Sequence, residues 1–285
     1  GRAVPLKLVL STFLLSMLIT NDAALIVVVP LTLALNVRRK DILVILEALA
    51  ANAGSALTPF GNPQNLYIYW TYDLNLASFL RVIAPFSLFF LVLLIAASLL
   101  IRTKRTESVS ASPGKISKSA LVYGLLLIVV LLSVLHVLPV YAALVVVVYP
   151  LITDRKVLKV DYSLLISFLF FFGIADNLQT LFEGAVGNNG HVFLLSSLVS
   201  QIISNVPATL LFADFTDNWQ ALLWGVNAGG FGSLFGSLAN LIAYKIYVTD
   251  KNTDNYSSFT RKFLLIGYAV FLLSVLLYYM IYSFR

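Results

Sequence analysis

Along this chain the polar residues punctuate apolar runs of two lengths. The long runs are Ile42–Tyr72, Phe79–Ile101, Leu121–Leu138, Tyr162–Leu181, Trp219–Val248 and Phe263–Phe284. The first and fifth of these are interrupted by Gly- and Asn-rich stretches. A helix needs about 20 apolar residues to cross a bilayer, so each long run predicts a span. Pro139–Ile152 is shorter but lies between two turns and reads as a short span. Two regions differ. Pro5–Ile19 and Ala23–Leu35 are separated by Thr20-Asn21-Asp22, and Val192–Ile203 and Val206–Phe215 by Ser204-Asn205. Arms of about 10–15 residues are too short to span, which predicts two re-entrant helical hairpins.

Composition narrows the class. Of 285 residues, 60% are hydrophobic and 11% charged, with a mean hydropathy of +0.92. A soluble domain carries about 25% charged residues, so a cytoplasmic enzyme, a nucleic-acid-binding domain and a disordered chain are excluded. The continuous apolar runs also exclude a β-barrel, whose strands alternate. An all-α polytopic membrane protein remains. The absence of cysteine excludes a disulfide framework, a thiolate metal site and a cysteine nucleophile.

The net charge of +6 fits an orientation rule rather than a nucleic-acid partner. If the first hairpin opens inside and the spans alternate, all of the 19 lysines and arginines except Arg81 and Arg285 fall inside. Asp73, Glu183, Asp214 and Asp217 fall outside. The expected setting is a prokaryotic inner membrane, surrounded by membrane lipid, with the C-terminus outside.

Residues 52–66 (NAGSALTPFGNPQNL) and 227–241 (NAGGFGSLFGSLANL) align without gaps. Identical pairs are Asn52/Asn227, Ala53/Ala228, Gly54/Gly229, Phe60/Phe235, Gly61/Gly236, Asn65/Asn240 and Leu66/Leu241. Each segment follows a hairpin tip. The crossings between the two hairpins are odd in number, which inverts the second half relative to the first, as in many secondary transporters. The expected organisation is a first repeat at 1–102, a cytoplasmic linker at 103–118, and a second repeat at 119–285 with three scaffold spans before its hairpin. Nothing equivalent precedes the first hairpin, so further scaffold is expected ahead of residue 1. A signal peptide is the rival reading of residues 1–20.

Broken helices are tolerated at membrane depth only where protein or a wet cavity surrounds them. Asn52, Gly54, Thr58, Gly61, Asn62 and Asn65, with Asn227, Gly229, Ser233 and Asn240, are therefore candidate binding residues. Thr20, Asn21 and Asp22 join them from one hairpin tip, and Ser204, Asn205 and Pro207 from the other. Unwound carbonyls and asparagine oxygens suit Na⁺, for which Asn21, Gly54, Asn205 and Gly229 are the candidate ligands. Thr58-Pro59, Asn62-Pro63 and Asn205-Val206-Pro207 read as helix starts, whose N–H groups and dipoles favour an anion. Asp22 is a costly intramembrane carboxylate. It reads either as a coupling group for H⁺ or a cation, or as a partner for its helix dipole. Glu47, Asp176 and His136 read as structural, and Trp70, Trp219 and Trp224 as interface anchors.

ITNDAALIVVVPLT, NAGSALTPFGNPQN, SQIISNVPA and LLWGVNAGGFGSLFGSLANL, in that order, resemble the ion transporter superfamily of arsenite permeases, sodium/proton antiporters, citrate-transporter-like proteins and divalent anion/sodium symporters. The resemblance covers nearly the whole chain. It implies paired hairpins, scaffold and transport subdomains, an elevator-like shift and homodimers. In the dicarboxylate symporters each tip reads Ser-Asn-Thr; here Asp22 and Val206 take the third position, which leans toward the arsenite and antiporter branch.

The expected function is a secondary-active permease for an anion or oxyanion-type solute such as arsenite or a carboxylate, coupled to H⁺ or Na⁺, without a cofactor. A sodium/proton antiporter and a truncated non-transporting remnant are the alternatives. An intramembrane aspartyl protease would need Asp22 and Asp176, but the Gly-x-Gly-Asp signature is absent. A passive channel is the remaining class.

Overall fold

A computed structural model describes residues 3–35, 37, 39–101, 117–158, 162, 166, 170, 191–251, 253 and 256–282. Asp176, Glu183, linker residues 103–116 and most of the span expected at Tyr162–Leu181 lie outside them. The described residues are helical and contain no strand. Contacts divide the chain into two compact units, one of Gly1–Thr106 with Phe171–Arg285 and one of Glu107–Phe170.

The first unit holds every candidate binding residue. Helices α1 (Ala3–Leu18) and α2 (Asn21–Ala34) pack together as a hairpin. The interrupted run follows as α3 (Lys40–Ser55) and α4 (Pro63–Thr71), then comes the long α5 (Leu76–Leu100). In the smaller unit, α6 (Lys118–Val134) packs on α7 (Val145–Thr153), which continues a 3-10 turn at Val140–Leu144. The first unit resumes with a second hairpin, α8 (Val192–Ile203) and α9 (Asn205–Ala213). The second interrupted run is α10 (Trp219–Gly229) and α11 (Leu238–Thr249), before α12 (Tyr256–Tyr282).

Local chemistry sets these boundaries. Asn75 and Asn218 accept from the N–H groups of Ser78 and Ala221, capping α5 and α10. Asn62 caps α4 by accepting from Asn65 N, and Pro63 takes the first helical position. Helices α5 and α12 are long and apolar enough to cross a membrane. Their outer faces carry exposed Leu88, Val92, Leu265, Leu272, Leu276 and Met280.

Packing partners correspond between the two halves of this unit. α1 packs on α3 as α8 packs on α10, and α3 packs on α5 as α10 packs on α12. The second arms cross over: α2 meets α11, and α9 meets α4. Each hairpin thus touches the broken helix of both halves. At the centre, Phe86 lies between Phe90, Trp224 and Phe231, with ring centroids 5.0, 5.3 and 5.7 Å away. Trp224 is fully buried and its indole N–H donates to Val82 O at 2.9 Å. It is a core residue, not the interface anchor that its type suggested, because α10 is enclosed by α5, α8 and α12. Trp70 is exposed.

Candidate functional site

The two helix breaks and the two hairpin tips meet, and the same bonds recur on each side. The backbone N–H of Asn21 donates to Gly61 O at 3.1 Å, and that of Asn205 donates to Gly236 O at 3.0 Å. Thr58 Oγ1 donates to Met17 O at 2.7 Å, and Ser233 Oγ donates to Gln201 O at 2.8 Å. Each break is therefore fastened to its own hairpin tip.

Four asparagines then tie the halves to each other. Asn52 Nδ2 donates to Asn240 Oδ1 at 2.9 Å, and Asn227 Nδ2 donates to Asn65 Oδ1 at 2.8 Å. Asn52 and Asn227 also donate to the carbonyls of Ala48 and Leu223, one turn back. Asn65 Nδ2 sits among the carbonyls of Ser55, Ala56 and Thr58 at 3.3, 2.9 and 3.2 Å. Asn240 Nδ2 does the same with Gly230 O and Ser233 O, both at 2.9 Å. Buried polar groups must be paired, and these amides satisfy the carbonyls that unwinding releases.

Close approach explains two glycines. A Cβ on Gly54 would lie 2.3 Å from Phe13 O and 2.5 Å from Ser16 Oγ. A Cβ on Gly229 would lie 2.4 Å from Ser200 Cβ and 2.7 Å from its Oγ. Both tips also hold a non-glycine residue at positive φ, Thr20 at 149° and Ser204 at 76°. Such backbone is costly and clusters at functional sites.

The tips differ in detail. Thr20 is the N-cap of α2 and its side chain accepts from Ala23 N; Ser204 is the N-cap of α9 and makes no such bond. Asn21 and Asn205 are the first helical residues, so Asn205 is not the cap that the Asn-Val-Pro order suggested. Pro207 follows two residues later inside α9. Thr58-Pro59 begins no helix; its hydroxyl is spent on Met17. Asn21 Nδ2 donates to Asn52 Oδ1 at 3.2 Å, and Asn62 Nδ2 donates to Ser55 Oγ at 3.1 Å and reaches Asn227 Oδ1 at 3.4 Å. Asp22 Oδ1 is buried and has no hydrogen-bond partner among the described residues. Among the described residues, the N–H groups of Gln64, Val206 and Leu238 at the other three helix starts have no protein acceptor.

Residue type alone did not single out Gln201. Its Nε2 donates to Gly229 O at 2.9 Å and its Oε1 accepts from Ser233 N at 2.8 Å, so it clamps the second break. Its place three residues before Ser204 was the available signal. Ser16, Ser200 and Ser237 were likewise missed, because a serine on an apolar arm has no motif of its own.

Residues 1–225 match the citrate transporter family. The chain belongs to that family. It is 35% identical, over 97% of its length and 78% of the relative's, to an uncharacterized transporter of Methanocaldococcus jannaschii. It is 39% identical to the inner membrane protein YbiR of Escherichia coli, over 86% of this chain and 70% of that protein. The silicon efflux transporter LSI3 of Oryza sativa subsp. japonica shares 39% identity over a shorter stretch, 30% of this chain and 18% of that protein. As a citrate transporter family member, the chain is an integral membrane transporter of a small solute and not an enzyme.

Proposed function

We propose that the protein is a secondary-active carrier for a small inorganic or organic anion of the oxyanion or carboxylate type, driven by H⁺ or Na⁺. The observation that carries this reading is the convergence of four helix starts, at Asn21, Pro63, Asn205 and Leu238, on the crossed asparagine pairs. Helix N-termini concentrate positive potential and N–H donors, which suits an anion or an oxygen-rich neutral solute. Thr20, Asn21, Asn52, Gly54, Asn62 and Asn65 line the first half of the site. Ser204, Asn205, Asn227, Gly229, Ser233 and Asn240 line the second. In this reading the hairpins are re-entrant and the halves inverted. The paired contacts of α1 with α3 and α8 with α10 support a duplicated unit.

Asp22 is a coupling group at the site itself, since its carboxylate would repel an anion unless protonated or paired with a cation. The orphaned Asp22 Oδ1 also favours a second reading, sodium/proton antiport without a carried anion. Proteoliposomes containing the full-length protein and a pH-sensitive dye separate the two. Proton movement after a Na⁺ jump without any anion favours the antiporter. A silent dye, followed by uptake of arsenite, a dicarboxylate or silicic acid under an ion gradient, favours the carrier. Silicic acid belongs in the set because of the stretch shared with the silicon efflux transporter. No movement of any of these solutes or of protons would defeat both readings.

A further inference from the structure

Glu47 lies on α3 away from the asparagine pairs, and the carrier reading leaves it unused. It is 0% exposed. Thr32 of α2 donates its hydroxyl to Glu47 Oε1, while Oε2 has no hydrogen-bond partner among the described residues. Among the described residues, the elements packed on α3 bring no free cation to it. Lys7 of α1, Arg81 of α5, Lys245 of α11 and Arg261 of α12 are exposed, and Lys262 of α12 pairs with Asp41. Of the tyrosines on α11, Tyr244 shares a hydrogen bond with Thr260. Asp22 lies ten residues from Thr32 along α2, nearly three turns away. Lys40, two turns before Glu47 on the same face of α3, donates its ammonium to Leu33 O, next to Thr32.

An ionised carboxylate with one hydroxyl donor and one orphaned oxygen is strongly disfavoured in such a place. A metal cation would need a shell of oxygens, whereas the described residues hold no group of three or more metal-ligating side chains and the Thr32 hydroxyl is the hydrogen-bonding partner they give the carboxylate. A proton needs no shell. We infer that Glu47 is a proton-binding site, loaded in this arrangement, with Thr32 of the hairpin as its sensing contact. Thr32 moves with the hairpin, and Glu47 shares a helix with Asn52, so loss of the proton bears on the contact between hairpin and broken helix. The second half has no equivalent, since Leu222 stands where Glu47 does in the first. Protonation is independent of what the protein carries; only its use in coupling rests on the carrier reading.

Infrared difference spectra of the full-length protein in lipid vesicles, stepped from acid to alkaline pH, test this. The wild type should lose the carbonyl stretch of a buried protonated carboxyl as the pH rises. The band should be absent in Glu47→Gln, present in Asp22→Asn, and shifted but retained in Thr32→Val, which removes only the hydroxyl donor. A Glu47→Gln spectrum identical to wild type overturns the proposal, as does a band that no pH step removes. In proteoliposomes, Glu47→Gln should lose the response of flux to a proton gradient, and an unchanged response would overturn the coupling role. A wild type that carries nothing while the band still titrates would refute the carrier reading and leave the proton site standing.

Discussion

The hairpin α1–α2 and the hairpin α8–α9 present the same scaffold to the site and different chemistry. Both place an asparagine first in the second arm, both fix its N–H on a glycine carbonyl of the neighbouring break, and both hold a strained residue before it. The first tip then adds Asp22, whose Oδ1 is orphaned, and uses Thr20 to satisfy Ala23 N. The second tip has Val206 in that place, an N–H without a protein acceptor, and no carboxylate. Duplicated backbone geometry can thus present two different electrostatic surfaces, and in the proposed reading the residue after the asparagine, Asp22 or Val206, sets the difference.

Removing what the tips share should have the largest effect. Asn21→Ala and Asn205→Ala are each expected to abolish transport while the protein still inserts; normal uptake in both variants would sink the shared site. Removing what distinguishes them comes next. Asp22→Asn should eliminate cation-linked flux, and Val206→Asp should weaken anion uptake by placing a second carboxylate at the other tip. Retained coupling in Asp22→Asn counts against a cation role for the first tip. The crossed amides give a smaller, structural effect. Asn65→Ala removes the amide donor of the Ala56 carbonyl, leaves Ser55 O and Thr58 O with their backbone donors only, and should cost about 1–3 kcal/mol, read as the thermal unfolding midpoint in detergent. Asn240→Ala should cost a similar amount, and a large difference between them would break the equivalence of the halves.

Backbone strain offers the smallest and sharpest contrast. Ser204→Gly relieves positive φ without losing a cap bond and should stabilise by about 1 kcal/mol. Thr20→Gly sacrifices the bond to Ala23 N and should gain less. The same midpoint measurement checks both, and equal gains would mean that the Thr20 cap contributes nothing.

Much of this was legible in the chain itself. Apolar runs, Gly-Asn breaks and short polar tips locate the helices, because a bilayer-length run and a breaker need only local chemistry to be read. Helix α4 starts at the expected Asn62-Pro63 for that reason. Thr58-Pro59 misled because a Thr-Pro pair suits a tight turn as well as a helix start. Glu47 read as structural, and only packing by α2 and its neighbours made it a buried, half-bonded carboxyl.

What the sequence by itself determined is the helical class, the duplicated Asn-Ala-Gly segment and the polar residues available at each tip. Which asparagine meets which was decided by the tertiary structure. Asn52 faces Asn240, and Asn65 faces Asn227, across 188 and 162 residues of chain. Such pairs follow from helix packing, since a side-chain amide bonds whichever buried partner the contact of α3 with α11 and of α10 with α4 brings within reach.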